Sequence, residues 1–237
     1  MKASALDALR ERIAHAGFAF APAAEMAPLL GTLPDWHAFA ASWDDLELDT
    51  HLPDGHRYRR RRHGTFSLAA GAAHVTREPH RPHYQGLEYN PLAGGIERWF
   101  EPMRRDVVEG ATFERVMDFC VRLFAPMKPA SSWHIECHQF RIEARPDAAG
   151  QPTPEGVHRD GVDYVLVLLV GRSNIESGTT TVHELDGTLI GSFTLTTPLD
   201  AALVDDARVK HGVTAVRPID PGRAACRDVL VVTFRAS

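Results

Sequence analysis

Residues 154–170 read PEGVHRDGVDYVLVLLV, and this stretch decides how the fold is interpreted. A charged turn leads directly into residues 164–170, the most apolar run of the chain, which has the length of a buried strand and is far too short to span a membrane. His158 and Asp160 are two positions apart just before this run, so on an extended backbone both side chains point to the same side. An imidazole and a carboxylate in that arrangement can take adjacent positions on one metal ion.

The second half of the chain continues as a series of short segments rich in β-branched and aromatic residues. Strands are predicted at residues 134–144, 164–170, 179–183, 189–195, 211–216 and 229–234, with turn signals at 147–150, 186–187 and 218–222. Strands at such intervals without helices between them are typical of an antiparallel sandwich or jelly roll. The sequence therefore predicts a mainly β fold with flanking helices, whose core over about residues 57–237 is a double-stranded β-helix (a cupin-like jelly roll).

The first fifty residues are predicted to be helical instead. Leu6, Leu9 and Ile13 recur at helical spacing behind Ser4, a suitable N-cap, and further helices are predicted at residues 23–30 and from residue 36 onward. An apolar stripe predicts one helix inserted in the core, near 111–125. Because no linker or repeat divides the chain, we expect a single domain over residues 1–237.

One long segment, residues 76–96, is rich in proline and glycine and is predicted to be irregular. Irregular segments of this length are uncommon unless they cover a functional site. We therefore expect it to lie near the site.

Composition excludes several classes of protein. The 237 residues are 44% hydrophobic and 24% charged, as in an ordinary globular protein, and the formal net charge of −5 gives no general attraction to nucleic acid or anionic membranes. Three scattered cysteines form neither a disulfide framework nor a zinc motif and suit a reducing compartment. The first residues are charged rather than apolar, so no secretion signal is predicted. We expect a cytoplasmic protein whose partner is a small molecule, with no nucleic acid and no membrane.

A third metal ligand for His158 and Asp160 has to come from another strand, and His211 is the candidate. Gly212 follows it and would allow a close approach of the backbone. Two histidines and one carboxylate form the ligand set of non-heme Fe(II) oxygenases, whereas zinc sites more often contain cysteines or three histidines. This set of ligands therefore favours Fe(II) as the metal.

Two arginines follow this histidine. Arg227 begins the last apolar strand, where a cation is costly unless an anion pairs with it. A dicarboxylate co-substrate bound to the metal at one end could place its other carboxylate on Arg227, while a salt bridge to Asp228 or Asp220 is the alternative. Arg223, in the preceding turn, is the second candidate for this role.

Other histidines offer a competing ligand set. His134, Glu136 and His138 share one face of a single strand, but ligands about 6.6 Å apart along a strand do not converge on one ion unless the strand is strongly bent. We predict that this strand lines a cavity or packs against the sheet. Three histidines in or just before the irregular segment are predicted to lie at the surface, with a role in a lid over the site as the alternative; they are His74, His80 and His83.

Residues 57–62, RYRRRR, form a strongly basic run. A solvated edge strand, protected from aggregation by its charge, is the simplest interpretation. Two alternatives remain open, namely that one arginine binds an anionic group of the substrate, or that the run binds nucleic acid. If the run is a strand, Arg60 and Arg62 share a face with Phe66, and Arg59 and Arg61 face the other way.

Four segments of the chain resemble a known family. They are PEGVHRDGVDY (154–164), NIESGTTT (174–181), HGVTAVRPID (211–220) and RDVLVVTF (227–234). They are similar to the bacterial 2-oxoglutarate/Fe(II) dioxygenases that include L-isoleucine 4-hydroxylase, whose members hydroxylate or sulfoxidise free aliphatic L-amino acids. The resemblance runs from about residue 58 to the end of the chain. It implies that His158, Asp160 and His211 bind Fe(II) and that Arg227 holds the distal carboxylate of 2-oxoglutarate.

The expected function is therefore that of an oxidoreductase, an Fe(II)/2-oxoglutarate-dependent dioxygenase that hydroxylates a small molecule with release of succinate and CO2. A free L-amino acid is the expected substrate. Two alternatives stay open. A cupin-like isomerase or hydrolase would use the same three ligands without 2-oxoglutarate and would not need Arg227. A non-enzymatic β-sandwich binding module would still bind its ligand after the loss of His158.

Overall fold

The structure is a computed structural model that describes residues 4–52, 58–129 and 131–237. Its helices are α1 (Ala5–Ala16), α2 (Ala23–Leu30), α3 (Trp36–Ala41), α4 (Arg105–Val108) and α5 (Ala111–Phe124), with short 3-10 turns at Ser42–Asp45 and Ala125–Met127. Its strands are β1 (Phe18–Ala21), β2 (Glu47–Leu48), β3 (Arg59–Leu68), β4 (Thr76–Arg77), β5 (His83–Tyr84), β6 (Glu97–Arg98), β7 (Trp133–Ala144), β8 (Tyr164–Ser173), β9 (Ile175–Ser177), β10 (Thr179–Glu184), β11 (Leu189–Thr194), β12 (Ala201–Asp205), β13 (Val209–Val213), β14 (Val216–Pro218) and β15 (Ala225–Ala236).

Most of these strands belong to two antiparallel sheets. The major sheet has the order β1-β12-β8-β15-β7-β3-β2, with β4 also paired to β3. The minor sheet has the order β11-β10-β13. In the middle of the major sheet, Val231 of β15 lies opposite His138 of β7 on one side and Val167 of β8 on the other.

The major sheet buries one face against the helices. On β15, the side chains of Leu230, Val232 and Phe234 point to this face and join a buried cluster with Leu9 of α1 and Phe119 of α5. Complete burial of such a side chain contributes about 1.5–3 kcal/mol, so the helical layer stabilises the sheet. Among the described helices, none is long and apolar enough to cross a membrane.

The other face of the major sheet meets the minor sheet. Val165 of β8 and Val204 of β12 pack in one buried cluster with Val182 of β10 and Val209 of β13. Two antiparallel sheets packed face to face, with helices outside, form the jelly roll that the strand pattern predicts. The predicted fold class is confirmed.

Some predicted elements differ from the structure. Strands β1 and β12, for example, are missed, because FAFA and AALVD are too short and too apolar for the sequence to distinguish a strand from a helix. The strand predicted at 211–216 is instead two strands, since β13 pairs with β10 and β14 pairs with β9 in a separate two-stranded sheet. By contrast, α2 has the predicted bounds, and Ser4 forms the predicted N-cap of α1.

Candidate functional site

A cavity of about 460 Å³ is lined by residues of both sheets. The irregular segment forms another of its walls. Gln85 donates a hydrogen bond from Nε2 to the backbone oxygen of Asp160 at 3.2 Å, and the ring of Tyr89 lies only 2.5 Å from where a Cβ at position 161 would stand. Gly161 has φ +79°, so both its backbone conformation and its neighbour require glycine. The segment that was expected to lie near a site does line this cavity.

The structure brings His158, Asp160 and His211 together in this cavity. His158 forms an isolated β-bridge with His211 of β13, in which each residue donates its backbone N–H to the carbonyl of the other at 2.9 Å. The Nε2 atoms of His158 and His211 each lie 3.5 Å from an Asp160 carboxylate oxygen, one from Oδ1 and the other from Oδ2. One ligand atom from each residue lies within 4.8 Å of the other two, as expected for a shared metal ion. These three residues are called the triad below.

A buried carboxylate holds the loop that carries the triad. Asp206 accepts hydrogen bonds from the backbone N–H groups of Asp160 at 2.9 Å, Gly161 at 2.8 Å and Val162 at 3.1 Å. No sequence motif points to Asp206, because its role depends on the backbone of a loop more than forty residues away. It positions Asp160 through the main chain.

The hydrogen bonds of His158 determine which ring nitrogen is available to a metal. Its Nδ1 lies 3.0 Å from the carbonyl oxygen of Gly156, which can only accept, so Nδ1 carries the hydrogen. The Nε2 atom then faces Asp160 and is the nitrogen that could bind a metal, in the arrangement usual for metal-binding histidines. In His211, Nε2 also faces Asp160, and Nδ1 lies 3.9 Å from Asp206.

The pKa values of the triad are set by burial and by the interactions of its members with one another. Burial opposes protonation of His158, but its hydrogen bond to Asp160 and the charges of Asp160 and Glu155 raise its pKa to about 9. Burial, together with the charge of His158, lowers the pKa of His211 to about 4. Burial also opposes ionisation of Asp160, yet the hydrogen bond from His158 and the charge of His211 keep the pKa of Asp160 below its ordinary value. A carboxylate between two imidazoles offers the nitrogen and oxygen donors that Fe(II) accepts, so these residues fit that ion.

Arg227 also lines the cavity and is only 2% exposed. Among the described residues, its Nε and Nη2 atoms have no hydrogen-bond partner. Burial, and then the charge of Arg172, lower its pKa to about 10. Asp228, which could have neutralised Arg227, pairs instead with Arg141 through two hydrogen bonds of 2.8 and 2.7 Å. Arg227 is therefore a buried cation that faces the cavity and forms no ion pair with any of the residues that the structure describes.

Arg223 is not brought to the same place. It is exposed in the turn before β15 and does not line the cavity. Its backbone carbonyl accepts a hydrogen bond from Asn174 Nδ2 at 3.0 Å, so its contribution here is to the turn. The second candidate for the co-substrate carboxylate is thus corrected to a surface residue.

Glu136 lies in the same cavity within a second cluster of histidines, but the cluster differs from the one considered in the sequence. His63 of β3 and His83 of β5 join Glu136 and His138 of β7, whereas the side chain of His134 is 29% exposed at the edge. These four residues (His63, His83, Glu136 and His138) are called the glutamate cluster below.

The predicted surface position of His83 is wrong. Its side chain is only 14% exposed, and its Nδ1 donates to Glu136 Oε2 at 2.7 Å. His74 and His80 are exposed as predicted.

The basic run is not a solvated edge strand, because β3 is paired with β7 on one side and with β2 and β4 on the other. Arg59 and Arg61 are buried, line the cavity and share Asp49, whose Oδ2 lies 2.7 Å from Arg59 Nη2 and 3.6 Å from Arg61 Nη1. Their predicted orientation opposite to Arg60 is correct. Position 57 lies outside the described residues.

Arg98 of β6 is a further cavity residue that no sequence pattern indicates. It is 2% exposed, its Nη2 lies 3.3 Å from Gln85 Oε1, and its Nε is buried without a partner among the described residues. The surrounding sequence, IERWF, has no feature that distinguishes it from a surface strand.

Comparison with known proteins found chains that are similar in fold or sequence. A crystal structure of a bsmA homolog from Methylobium petroleophilum PM1 superimposes with a TM-score of 0.85 at 36% identity, covering 98% of this chain and 93% of that one. The bifunctional enzyme flvA of Aspergillus flavus is 31% identical over 170 residues, which are 62% of this chain and 21% of that protein. The 3(1)-hydroxy-L-isoleucine 4-dioxygenase of Pantoea ananatis is 23% identical over 158 residues, 65% of this chain and 64% of that enzyme.

The chain thus spans about a fifth of the first of these two enzymes and just under two thirds of the second. The sequence model of one family, described as 2OG-Fe dioxygenase, matches residues 40–233, which is most of the chain. This family uses Fe(II) and 2-oxoglutarate, and the matched range contains both the triad and Arg227. The chain belongs to the 2OG-Fe dioxygenase family.

Proposed function

We propose that this chain is an Fe(II)/2-oxoglutarate-dependent dioxygenase that hydroxylates a free L-amino acid and releases succinate and CO2. The observation that carries the proposal is the presence, in one cavity, of a two-histidine, one-carboxylate set and a buried arginine without an anionic partner. His158, Asp160 and His211 would hold Fe(II), and Arg227 would hold the distal carboxylate of 2-oxoglutarate.

The geometry of Arg227 supports its role. Its free Nε and Nη2 atoms lie on the same edge of the guanidinium group, and this edge can donate two parallel hydrogen bonds to one carboxylate. A buried cation also gains more from an anion than an exposed one does, because water does not screen the pair. A dicarboxylate that reaches from the triad to Arg227 would accept both hydrogen bonds and would neutralise the buried charge.

The remaining residues of the cavity would bind and orient the substrate and would exclude water. When bound, Fe(II) and 2-oxoglutarate together supply the oxygen activation that the hydroxylation requires. The three protein ligands would leave other positions on Fe(II) open to the co-substrate. Val165, Val167, Val229 and Val231 line the cavity and keep its wall apolar. Exclusion of water from such a wall protects a reactive centre from side reactions.

The amino acid as substrate is supported by one relative, the isoleucine-derivative dioxygenase of Pantoea ananatis. The cavity of about 460 Å³ is of the size that binds small molecules. We also propose that the enzyme acts in the cytoplasm, where its free thiols would remain reduced; these are Cys120, Cys137 and Cys226.

The test is a screen of the twenty L-amino acids with Fe(II), 2-oxoglutarate and oxygen, in which succinate and hydroxylated product are both measured. We expect at least one amino acid to raise succinate formation far above the rate without substrate, with one hydroxylated product for each succinate. The Asp160→Ala variant, assayed alongside, should form neither. An enzyme that binds metal but never converts 2-oxoglutarate to succinate would instead be a cupin-like isomerase or hydrolase.

A further inference from the structure

Glu136 of the glutamate cluster keeps one carboxylate oxygen available. Its Oε2 accepts the short bond from His83, whereas the neighbours of Oε1 are His63 Nε2 at 3.5 Å and His134 Nε2 at 3.6 Å. Both distances are long for a hydrogen bond between nitrogen and oxygen. Oε1 can therefore accept a stronger bond from a ligand in the cavity.

The histidines around Glu136 do not neutralise its charge. Burial lowers the pKa of His83 to about 4, and it also holds the pKa values of His63 and His138 below the ordinary value. Burial favours the uncharged form of these imidazoles, so they do not cancel the charge of Glu136, to which His83 donates a hydrogen bond. A buried negative charge in a cavity is stabilised by a cationic ligand.

The hydrogen bonds of His138 argue against a second metal ion as this ligand. Arg61 Nη2 lies 2.7 Å from His138 Nδ1 and can only donate, so Nδ1 carries no hydrogen and the ring hydrogen is on Nε2. That Nε2 atom faces Glu136 Oε2 at 3.7 Å, and its lone pair is not available to a metal. An ammonium group, which donates hydrogen bonds, suits Glu136 better.

Arg98 supplies the opposite charge. Arg59 and Arg61 share Asp49, but no ion pair joins Arg98 to a carboxylate in the part of the chain that the structure describes. Its buried Nε atom has no hydrogen-bond partner among the residues described, although Arg98 lines the cavity. A buried guanidinium group is costly without an anion, and a carboxylate is the anion that fits it.

We propose that Glu136 binds the α-ammonium group and Arg98 the α-carboxylate of the substrate, so that this wall of the cavity recognises the head group common to α-amino acids. The inference rests on the proposed function and extends it to the residues that select the substrate class.

The test uses three ligands with the enzyme loaded with Fe(II) and 2-oxoglutarate without oxygen. These are the amino acid most active in the screen, the carboxylic acid that lacks its amino group, and the amine that lacks its carboxylate. For L-isoleucine, the analogues are 3-methylpentanoate and 2-methylbutylamine. One hydrogen bond to a charged group contributes about 1.5–3 kcal/mol, so each analogue should bind about 10- to 150-fold more weakly than the amino acid.

Variants then assign each preference to a residue. Glu136→Gln should weaken binding of the amino acid by about 10- to 150-fold and leave binding of the carboxylic acid unchanged. Arg98→Gln should weaken binding of the amino acid but not of the amine. The matched controls are Glu143→Gln on β7 and Arg62→Gln on β3, two residues that do not line the cavity. Neither should change any of the three affinities.

Several results would overturn the proposal. If the wild-type enzyme binds the amino acid and its carboxylic acid equally well, no variant is needed to reject it. If Glu136→Gln weakens both ligands to the same degree, the residue has only a structural role. If amino acids are converted but the variants still prefer the amino acid to its analogues as strongly as the wild-type enzyme does, this inference fails and the proposed function stands. If no amino acid is bound or converted, the proposed function fails with it.

Discussion

The triad and the glutamate cluster contain the same kinds of side chain in one cavity, yet they differ in what surrounds them. Each brings imidazole nitrogens and a carboxylate oxygen within 4.8 Å of one another. In the triad, His158 Nδ1 donates to a backbone carbonyl, which leaves Nε2 to face the carboxylate. In the glutamate cluster, an arginine donates to His138 Nδ1, and His83 donates directly to the carboxylate at 2.7 Å.

The difference between the two clusters shows that residue types alone do not define a metal site. The atom bound to the far side of each imidazole decides which nitrogen carries the hydrogen, and so decides whether the ring can bind a metal. A carbonyl behind the ring favours metal binding by the opposite nitrogen. A guanidinium behind the ring favours donation to an anion, and the cavity then has one wall suited to Fe(II) and another suited to an organic cation.

The largest difference between the two clusters is expected for Fe(II) binding. Asp160→Ala should abolish both Fe(II) binding and succinate formation, because it removes the carboxylate between two imidazoles. Glu136→Gln should retain one Fe(II) per chain. Anaerobic titration with Fe(II) measures the stoichiometry, and the melting temperature of both variants checks that the sheets remain folded.

The reverse result would exchange the two assignments. If Asp160→Ala still bound one Fe(II) and Glu136→Gln bound none, iron would belong to the glutamate cluster. Two Fe(II) per wild-type chain, with one lost in each variant, would remove the distinction between the clusters.

The next effect concerns the co-substrate. Arg227→Gln should weaken 2-oxoglutarate binding by about 10- to 150-fold, because a hydrogen-bonded charged pair contributes about 1.5–3 kcal/mol, while Fe(II) binding persists. Arg223→Gln is the matched control and should have no effect, since Arg223 is exposed outside the cavity. Equilibrium binding of 2-oxoglutarate in the presence of Fe(II) measures both variants. Equal affinities for the two would leave the distal carboxylate without an assigned partner.

A smaller effect is expected from Asp206, which holds the triad loop through its backbone. In Asp206→Asn the side-chain amide has one acceptor oxygen for three backbone N–H groups, so Asp160 loses its fixed position. We expect Fe(II) affinity to fall about 10- to 100-fold and the free energy of unfolding to fall by about 1–3 kcal/mol.

Asp200 provides the control for this prediction. It also accepts three backbone N–H bonds, from Ala23, Thr196 and Thr197, but it does not line the cavity. Asp200→Asn should lose similar stability in chemical denaturation without a change in Fe(II) affinity. If both variants lost Fe(II) affinity equally, the effect of Asp206 would be one of general stability.

The sequence predicts the parts of the site that share a short pattern, and it misses the parts that depend on strand pairing. His158 and Asp160 are two residues apart, so the spacing of an extended backbone is enough to place them together. Position 83 is different, because the partner of His83 is Glu136, 53 residues away, and the contact depends on how an irregular segment folds back over β7.

Arg98 and Asp206 were missed for a related reason. Arg98 stands out because its buried Nε atom has no hydrogen-bond partner among the described residues, and Asp206 because it accepts hydrogen bonds from three N–H groups of a distant loop. Neither property can be read from the neighbouring sequence. The fold was more predictable, since the nearly continuous apolar run of β15 and the apolar stripe of α5 are local properties. The short strand β12 has no such local pattern, although it pairs with the core strand β8.

An anomalous difference map at the iron edge, from crystals grown without oxygen in the presence of Fe(II) and 2-oxoglutarate, would locate the metal directly. We expect one peak in each chain, in contact with His158 Nε2, the Asp160 carboxylate and His211 Nε2. A peak among His63, His83, Glu136 and His138, with none at the triad, would contradict this expectation.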